Sequence, residues 1–390
     1  MVERNVGNGQ GRGQTPAVAA RGPSRRPVLG AFLTFGMLWG GWAALLPSTQ
    51  AATGVSKGEL GIALLFVGLG SLPAMASTGM LVDRWGAIVL PGSLAALAAA
   101  AVLPAFAESL PALSAALLVL GAASGAADVA INAEVAALEA ATRRTFMPLA
   151  HALFSLGVIV GALATGLARQ FETGRPAILG GLAAILAVTA WANRSPYPRV
   201  ASAAPRRRQL RGALVLLGVV CALAFCIEGG IENWSALFLE RELDAAPAVS
   251  ALGPGAYAVA MVAGRLSAQW LHRRAGASVL LSGGGVVSVL GLLLASVSQH
   301  AAVAIVAFFV AGIGVSFAAP LLFGAAGRDA TDEERGASVA TVTTLGYLGF
   351  LAGPPIVGGI AQALGIRASF VLLAGAAAIV AAAAPRLRLR

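Results

Sequence analysis

The chain is poor in charge. Only 11% of its 390 residues are Asp, Glu, Lys or Arg, where a soluble domain carries roughly 25%. That excludes a hydrated globular enzyme. The 58% share of hydrophobic residues also excludes a disordered chain. Lysine is almost missing, with Lys57 standing alone against 26 arginines. The only two cysteines, Cys221 and Cys226, share one apolar block, which argues against a structural disulfide. No cluster has metal-ligand spacing, and no metal or other cofactor is expected. A phosphate-binding P-loop is missing, as is a Ser/His/Asp set at one depth, so no enzyme is expected.

What is present is apolar sequence in long blocks. A helix that spans a bilayer needs about 20 apolar residues, and twelve such blocks can be drawn. They cover 28–47, 58–78, 87–107, 111–138, 147–168, 175–193, 212–238, 248–270, 277–297, 300–325, 336–362 and 366–384. The expected class is an all-α membrane protein with twelve transmembrane helices in two six-helix bundles. Residues 1–26 read as a disordered tail, 27–193 as the first bundle, 194–211 as a basic linker and 212–390 as the second bundle. The tail is too long for a signal-peptide n-region, and the block after it is as long as a full span.

The net charge of +10 does not indicate a nucleic-acid partner, because the arginines are scattered between apolar blocks. They follow the positive-inside rule instead. With the N-terminus inside, 22 of the 27 Lys and Arg residues fall on the cytoplasmic side. The expected location is the bacterial cytoplasmic membrane, multi-pass, with both termini cytoplasmic. The expected state is a monomer.

A few polar groups remain inside the blocks. A carboxylate at mid-bilayer costs about 2.5–3.5 kcal/mol on insertion scales, so it is functional by default. Asp128 and Asn132 share one face of span four with Gly121 and Gly125. They can serve chemistry, or they can glue spans four and five together. Span five offers His151 and Ser155, four residues apart. Span seven carries Glu228-Gly-Gly-Ile-Glu232-Asn-Trp234 in its outer part. Its glycine pair suggests a broken helix of the kind that frees backbone groups for ligands. Trp234 can meet a solute or sit in the interfacial aromatic belt. Trp39 and Trp42 on span one are further solute-contact candidates. Glu134 and Glu139 read as an ion-pair cluster with Arg143 and Arg144 at the boundary. Gly349-xxx-Gly353-Pro354-Pro355 in span eleven reads as a packing and kink device.

The stretch Gly79-Met-Leu-Val-Asp83-Arg84-Trp-Gly86 lies between spans two and three. A glycine there allows a tight turn, and an Asp near a helix N-terminus is stabilised by the dipole. The second half carries a weaker copy, Gly264-Arg265-Leu266 followed by Leu271-His-Arg-Arg-Ala-Gly276. Trp42-Ala-Ala-Leu45 also returns as Trp234-Ser-Ala-Leu237. These repeats suggest two related bundles with a site between them.

The first stretch resembles the G-x-L-x-D-R-x-G motif of the major facilitator superfamily, at the position that family has it. The resemblance implies secondary transport by alternating access, with Gly79, Asp83, Arg84, Gly86 and Arg265 at a cytoplasmic gate. Within the superfamily, Asp128-Val-Ala-Ile-Asn132, His151-Ala-Leu-Phe-Ser155 and Glu228-Gly229 with Trp234-Ser235 resemble the fucose-permease-like branch and its bacterial relatives. The sugar symporters of that branch carry an acid on helix one, where this chain reads Leu38-Trp39-Gly40-Gly41-Trp42. The expected substrate is a small solute, with protons as partner through Asp128. Proton-driven efflux of an apolar or cationic compound, met by Trp39, Trp42, Phe225 and Glu228, is the alternative. A non-transporting membrane sensor on the same fold is a third reading.

Overall fold

The computed structural model describes residues 26–194, 212–328 and 335–387. The expected tail, most of the linker and the segment after Arg328 lie outside these residues. Twelve helices among the described residues are long and apolar enough to cross a membrane. The first six are Pro27–Thr53, Lys57–Trp85, Val89–Phe106, Leu110–Thr142, Met147–Gln170 and Arg175–Ala192. The second six are Gly212–Glu242, Pro247–Ala268, Ala277–Val297, Ala301–Arg328, Ala337–Leu364 and Ile366–Arg386. They are numbered here as spans one to twelve.

Most helix ends have a local cause. Ser56 caps span two by accepting from the Glu59 N–H, while Glu59 accepts from the Ser56 N–H. Pro at the first turn opens spans four, five, six and eight. Gly86 (φ 63°) and Gly276 (φ 77°) close the second helix of their respective halves. Each returns its N–H to the carbonyl four residues back, Val82 and His272. The tight turn of the sequence motif therefore rests on Gly86; Gly79 is an ordinary helical residue of span two. Asp83 lies in the last turn of span two, not at a helix N-terminus, so the helix dipole does not stabilise it there.

The two halves pair their helices in the same way. Span one packs on five, two on four, and three on six. Seven packs on eleven, eight on ten, and nine on twelve. Glycine makes the closest crossings possible. A Cβ on Gly36 would overlap the Phe154 carbonyl, and one on Gly157 would overlap the Leu33 carbonyl. Gly121 meets Val67 of span two in the same way, and Gly349 meets Ala222 of span seven. In lipid, where the hydrophobic effect between helices is lost, such backbone contact holds the bundle together. Between the halves, span two meets eleven and span five meets eight.

One expectation about a helix break changes. Span seven runs unbroken through Gly229 and Gly230. The pair instead makes room: a Cβ on Gly229 would stand 3.2 Å from the Phe350 ring, and one on Gly230 would stand 2.5 Å from Leu373. The break lies in span ten, whose helix stops at Val315 and resumes at Ala318. Span eleven stays helical through Pro354 and Pro355. Exposed Trp191 and Trp270 each carry an arginine over the ring, Arg194 at 4.0 Å and Arg274 at 4.1 Å. Both lie at the end of the bundle that holds the chain termini, as an interfacial belt would.

Candidate functional site

The end of the bundle away from the termini is sealed between the halves. Arg169, closing span five, donates to Glu240 of span seven at 2.7 Å and to the Ala44 carbonyl of span one at 2.8 Å. Glu240 also accepts from Ser250 at 3.0 Å. Arg241 donates to the Pro47 carbonyl at 3.1 Å, and Lys57 pairs with Glu242 at 2.7 Å. Ala251 fills the space above Gly166, where a Cβ would clash. At the same end, Gly61 admits the Pro354 backbone and Gly58 faces Gln362.

The intramembrane charges lie on the terminal side of this seal. Asp128 is 18 residues from the start of span four and 14 from its end. Glu228 is 16 from the start of span seven and 14 from its end, which places it mid-helix and not in the outer part. Each is therefore close to mid-bilayer. Asn132 donates to both the carbonyl (2.9 Å) and the carboxylate (3.1 Å) of Asp128. Both bonds stay within span four, so Asn132 orients the Asp128 carboxylate and does not glue four to five. Ser155 spends its hydroxyl on the His151 carbonyl at 3.1 Å. His151 stands edge-on to Phe32 at 5.4 Å and feels the charge of Arg265 from the other half. It is nevertheless exposed.

Arg265 changes place relative to the sequence expectation. It lies 11 residues before Gly276, inside span eight and not at the loop gate. Its guanidinium is 3.6 Å from Glu228 Oε2. Glu228 is 6% exposed, and its Oε1 has no hydrogen-bond partner. Glu232, one turn further on, shares this field, and the Tyr257 hydroxyl turns to Glu228. The break in span ten supports the arrangement. Ser316 sits against Gly264, where any Cβ would overlap its hydroxyl, and this fixes the backbone just before Arg265.

An aromatic cluster adjoins the acids. Phe225 stacks on Phe350 at 4.6 Å and meets Tyr347 at 5.9 Å and Phe323 at 6.3 Å. Tyr347, on span eleven, comes within electrostatic reach of Asp128 across the halves. Sequence reading missed Tyr257, Tyr347 and Phe350. The signal was available for the tyrosines, since the chain has only three and two of them lie inside spans.

The tryptophans separate into two sets. Trp42 and Trp234 are 1% and 0% exposed, with indole N–H groups unpartnered, so Trp234 is no belt residue. Trp39 is half-buried against the core. Glu139 is not an arginine partner in a loose cluster. Its carboxylate accepts from the Phe146 and Met147 N–H groups and caps span five. The motif residues Asp83 and Arg84 are exposed. A groove of about 760 Å³ opens beside them, with Arg84, Trp85, Ile88 and Gly92 on its walls, away from the central acids.

Twelve spans in two like-paired halves, with a polar seal at one end and charged groups inside the bundle, are the architecture of a membrane transporter. The sequence profile of the Major Facilitator Superfamily matches residues 28–349, and the chain belongs to that family. An uncharacterized MFS-type transporter of Yersinia pestis is 35% identical, covering 91% of this chain and 93% of that one. Membrane protein MosC of Rhizobium meliloti is 28% identical, covering 90% of this chain and 87% of its own. Among solved structures, the nucleoside transporter NupG superposes with a TM-score of 0.76 at 15% identity, over 93% of this chain and 98% of that one. A bacterial homolog of the human lysosomal transporter Spinster does so at 0.74 and 14%, over 93% and 96%. At these identities the superpositions show the fold.

Proposed function

We propose that this chain is a proton-coupled secondary transporter that moves a small solute across the bacterial cytoplasmic membrane. The observation that carries the reading is the placement of charge. Asp128 near the middle of span four and Glu228 near the middle of span seven, the latter beside Arg265, lie beside the region between the halves, on the terminal side of a polar seal. Intramembrane carboxylates facing such a space are the expected carriers of a coupled proton. The bias of Lys and Arg, 21 to 5 once Arg265 is set aside, supports cytoplasmic termini. The sealed end is then the outer one in this reading.

In this reading Asp128 takes and releases the proton, with Asn132 holding its orientation. The Glu228–Arg265 pair forms the opposite wall. The Gly79–Gly86 turn and its second-half counterpart near Gly276 close the cytoplasmic side when the seal opens. One proton moving down 100 mV supplies about 2.3 kcal/mol, enough for roughly 50-fold accumulation of a neutral solute.

The test is a flux screen with purified protein in liposomes, with and without an imposed pH gradient. Gradient-driven movement of a solute, with proton movement in fixed ratio, is the expected result. Movement that ignores the gradient removes proton coupling. Proton-driven efflux is the second reading, favoured by the aromatic cluster around Phe225.

A further inference from the structure

We infer that the central site takes an organic cation with a flat apolar face. The inference rests on the transporter reading above and names the substrate class of that same site. Charge is the first ground. Glu228 and Glu232 share one electrostatic field with a single guanidinium, Arg265. With both acids ionised, this group of two carboxylates and one guanidinium is one charge negative. An anion entering it meets repulsion, and a neutral solute leaves the excess charge uncompensated in low dielectric. A cation relieves it.

The second ground is an orphaned acceptor. Glu228 is buried; Oε2 faces Arg265 at 3.6 Å, and Oε1 has no donor at full hydrogen-bond geometry, with the Tyr257 hydroxyl turned toward the carboxylate. Buried acceptors without donors are rare and costly. A ligand ammonium or amidinium N–H supplies the missing donor. Arg265 does not fill the role, because 3.6 Å is beyond the usual charge-assisted hydrogen-bond length of about 2.7–2.9 Å.

Shape is the third ground. Phe225 precedes Glu228 by three residues, so the ring and the acid share one helix face. Phe350 stacks on Phe225 at 4.6 Å, and both Phe350 and Tyr347 are half-buried. Gly229 leaves the space that lets Phe350 approach span seven. Aromatic faces beside a carboxylate suit a flat cation by stacking and by cation–π attraction. The other titratable groups beside the site are Tyr257, Tyr347, Cys221 and His151, and none carries a positive charge fixed at neutral pH.

The test uses full-length protein in liposomes with three probes at pH 8. Ethidium is a flat cation, phenanthridine is the same ring system uncharged, and a hexose is neutral and polar. Ethidium is expected to bind at least 10-fold more tightly than phenanthridine. Both Glu228→Gln and Phe350→Leu are expected to weaken ethidium at least 10-fold. Ethidium should also raise the thermal unfolding midpoint of the unaltered protein, which covers the case of a variant that fails to fold. Equal binding of phenanthridine overturns the inference, as do ethidium affinities within twofold in both folded variants. Gradient-driven hexose flux that ethidium does not inhibit overturns the cation assignment while the transporter reading stands. Ethidium binding of the expected pattern without gradient-driven flux of any probe keeps the assignment and removes the coupled-transport reading.

Discussion

Removing Arg169 is expected to unseal the end of the bundle away from the termini. The side chain makes two bonds to different elements, 2.7 Å to Glu240 and 2.8 Å to the Ala44 carbonyl. Arg169 and Glu240 side chains are 7% and 16% exposed, so water screens the pair little. Hydrogen bonds to charged groups are worth about 1.5–3 kcal/mol each. Only the Glu240 bond crosses the halves, and Glu240 keeps Ser250 when Arg169 is gone. A loss of about 2–3 kcal/mol from the sealed state is therefore the working figure. At tenfold per 1.4 kcal/mol, the ratio of sealed to unsealed protein falls roughly 30-fold to 150-fold. The Lys57–Glu242 pair is 26% and 27% exposed. It is worth about 0.2–1 kcal/mol, so Lys57→Ala should shift the ratio by at most about fivefold. Spin labels at Thr173 and His300, in exposed loops on different halves at that end, report the separation. Arg169→Ala should add a long-distance population that Lys57→Ala adds weakly. Equal effects of the two variants, or no new population in Arg169→Ala, would refute the assignment of the seal.

Gly161→Leu places a side chain where even a Cβ overlaps the Met37 backbone. A loss of about 1–3 kcal/mol is expected, read as a lower unfolding midpoint in detergent. Gly86→Ala forces an L-residue to φ 63° and ψ −137° at the turn after span two. It should cost about 1–3 kcal/mol in the same assay, while Gly79→Ala, with open space around it, should cost less. Glu139→Ala strips the cap from span five and should cost about 0.5–2 kcal/mol. Faster hydrogen exchange at Phe146 and Met147, with exchange in span four unchanged, is the specific readout.

The spans were legible because apolar length is written directly in sequence, and most expected ends fall within four residues of those observed, while spans one and two run six and seven residues further. The like pairing of the two halves was hinted at by Trp42-Ala-Ala-Leu45 and Trp234-Ser-Ala-Leu237. Packing was much less legible. Gly229-Gly230 has the composition of a helix break, yet the helix runs through it and the two glycines make room for Phe350 and Leu373, more than a hundred residues away. The break that does occur, at Ser316–Phe317, has neither glycine nor proline at the interruption. Arg265 looked like a loop cation because basic residues cluster just after it. Its partner Glu228 is visible only when spans seven and eight are placed side by side. Asp128, Asn132 and Glu228 stood out early because charge is so scarce in the chain. Their orientation by Asn132 and by the Glu228–Arg265 contact came only with the fold.

Coupling through Asp128 is tested most directly by Asp128→Asn in liposomes. Two fluxes are compared on the same preparation, solute exchange at equal pH and net accumulation driven by a pH gradient. The amide keeps the size of the side chain and a bond to Asn132 but cannot release a proton. Exchange should persist within a few-fold, and gradient-driven accumulation should vanish. Accumulation at the unaltered level in Asp128→Asn would contradict the account.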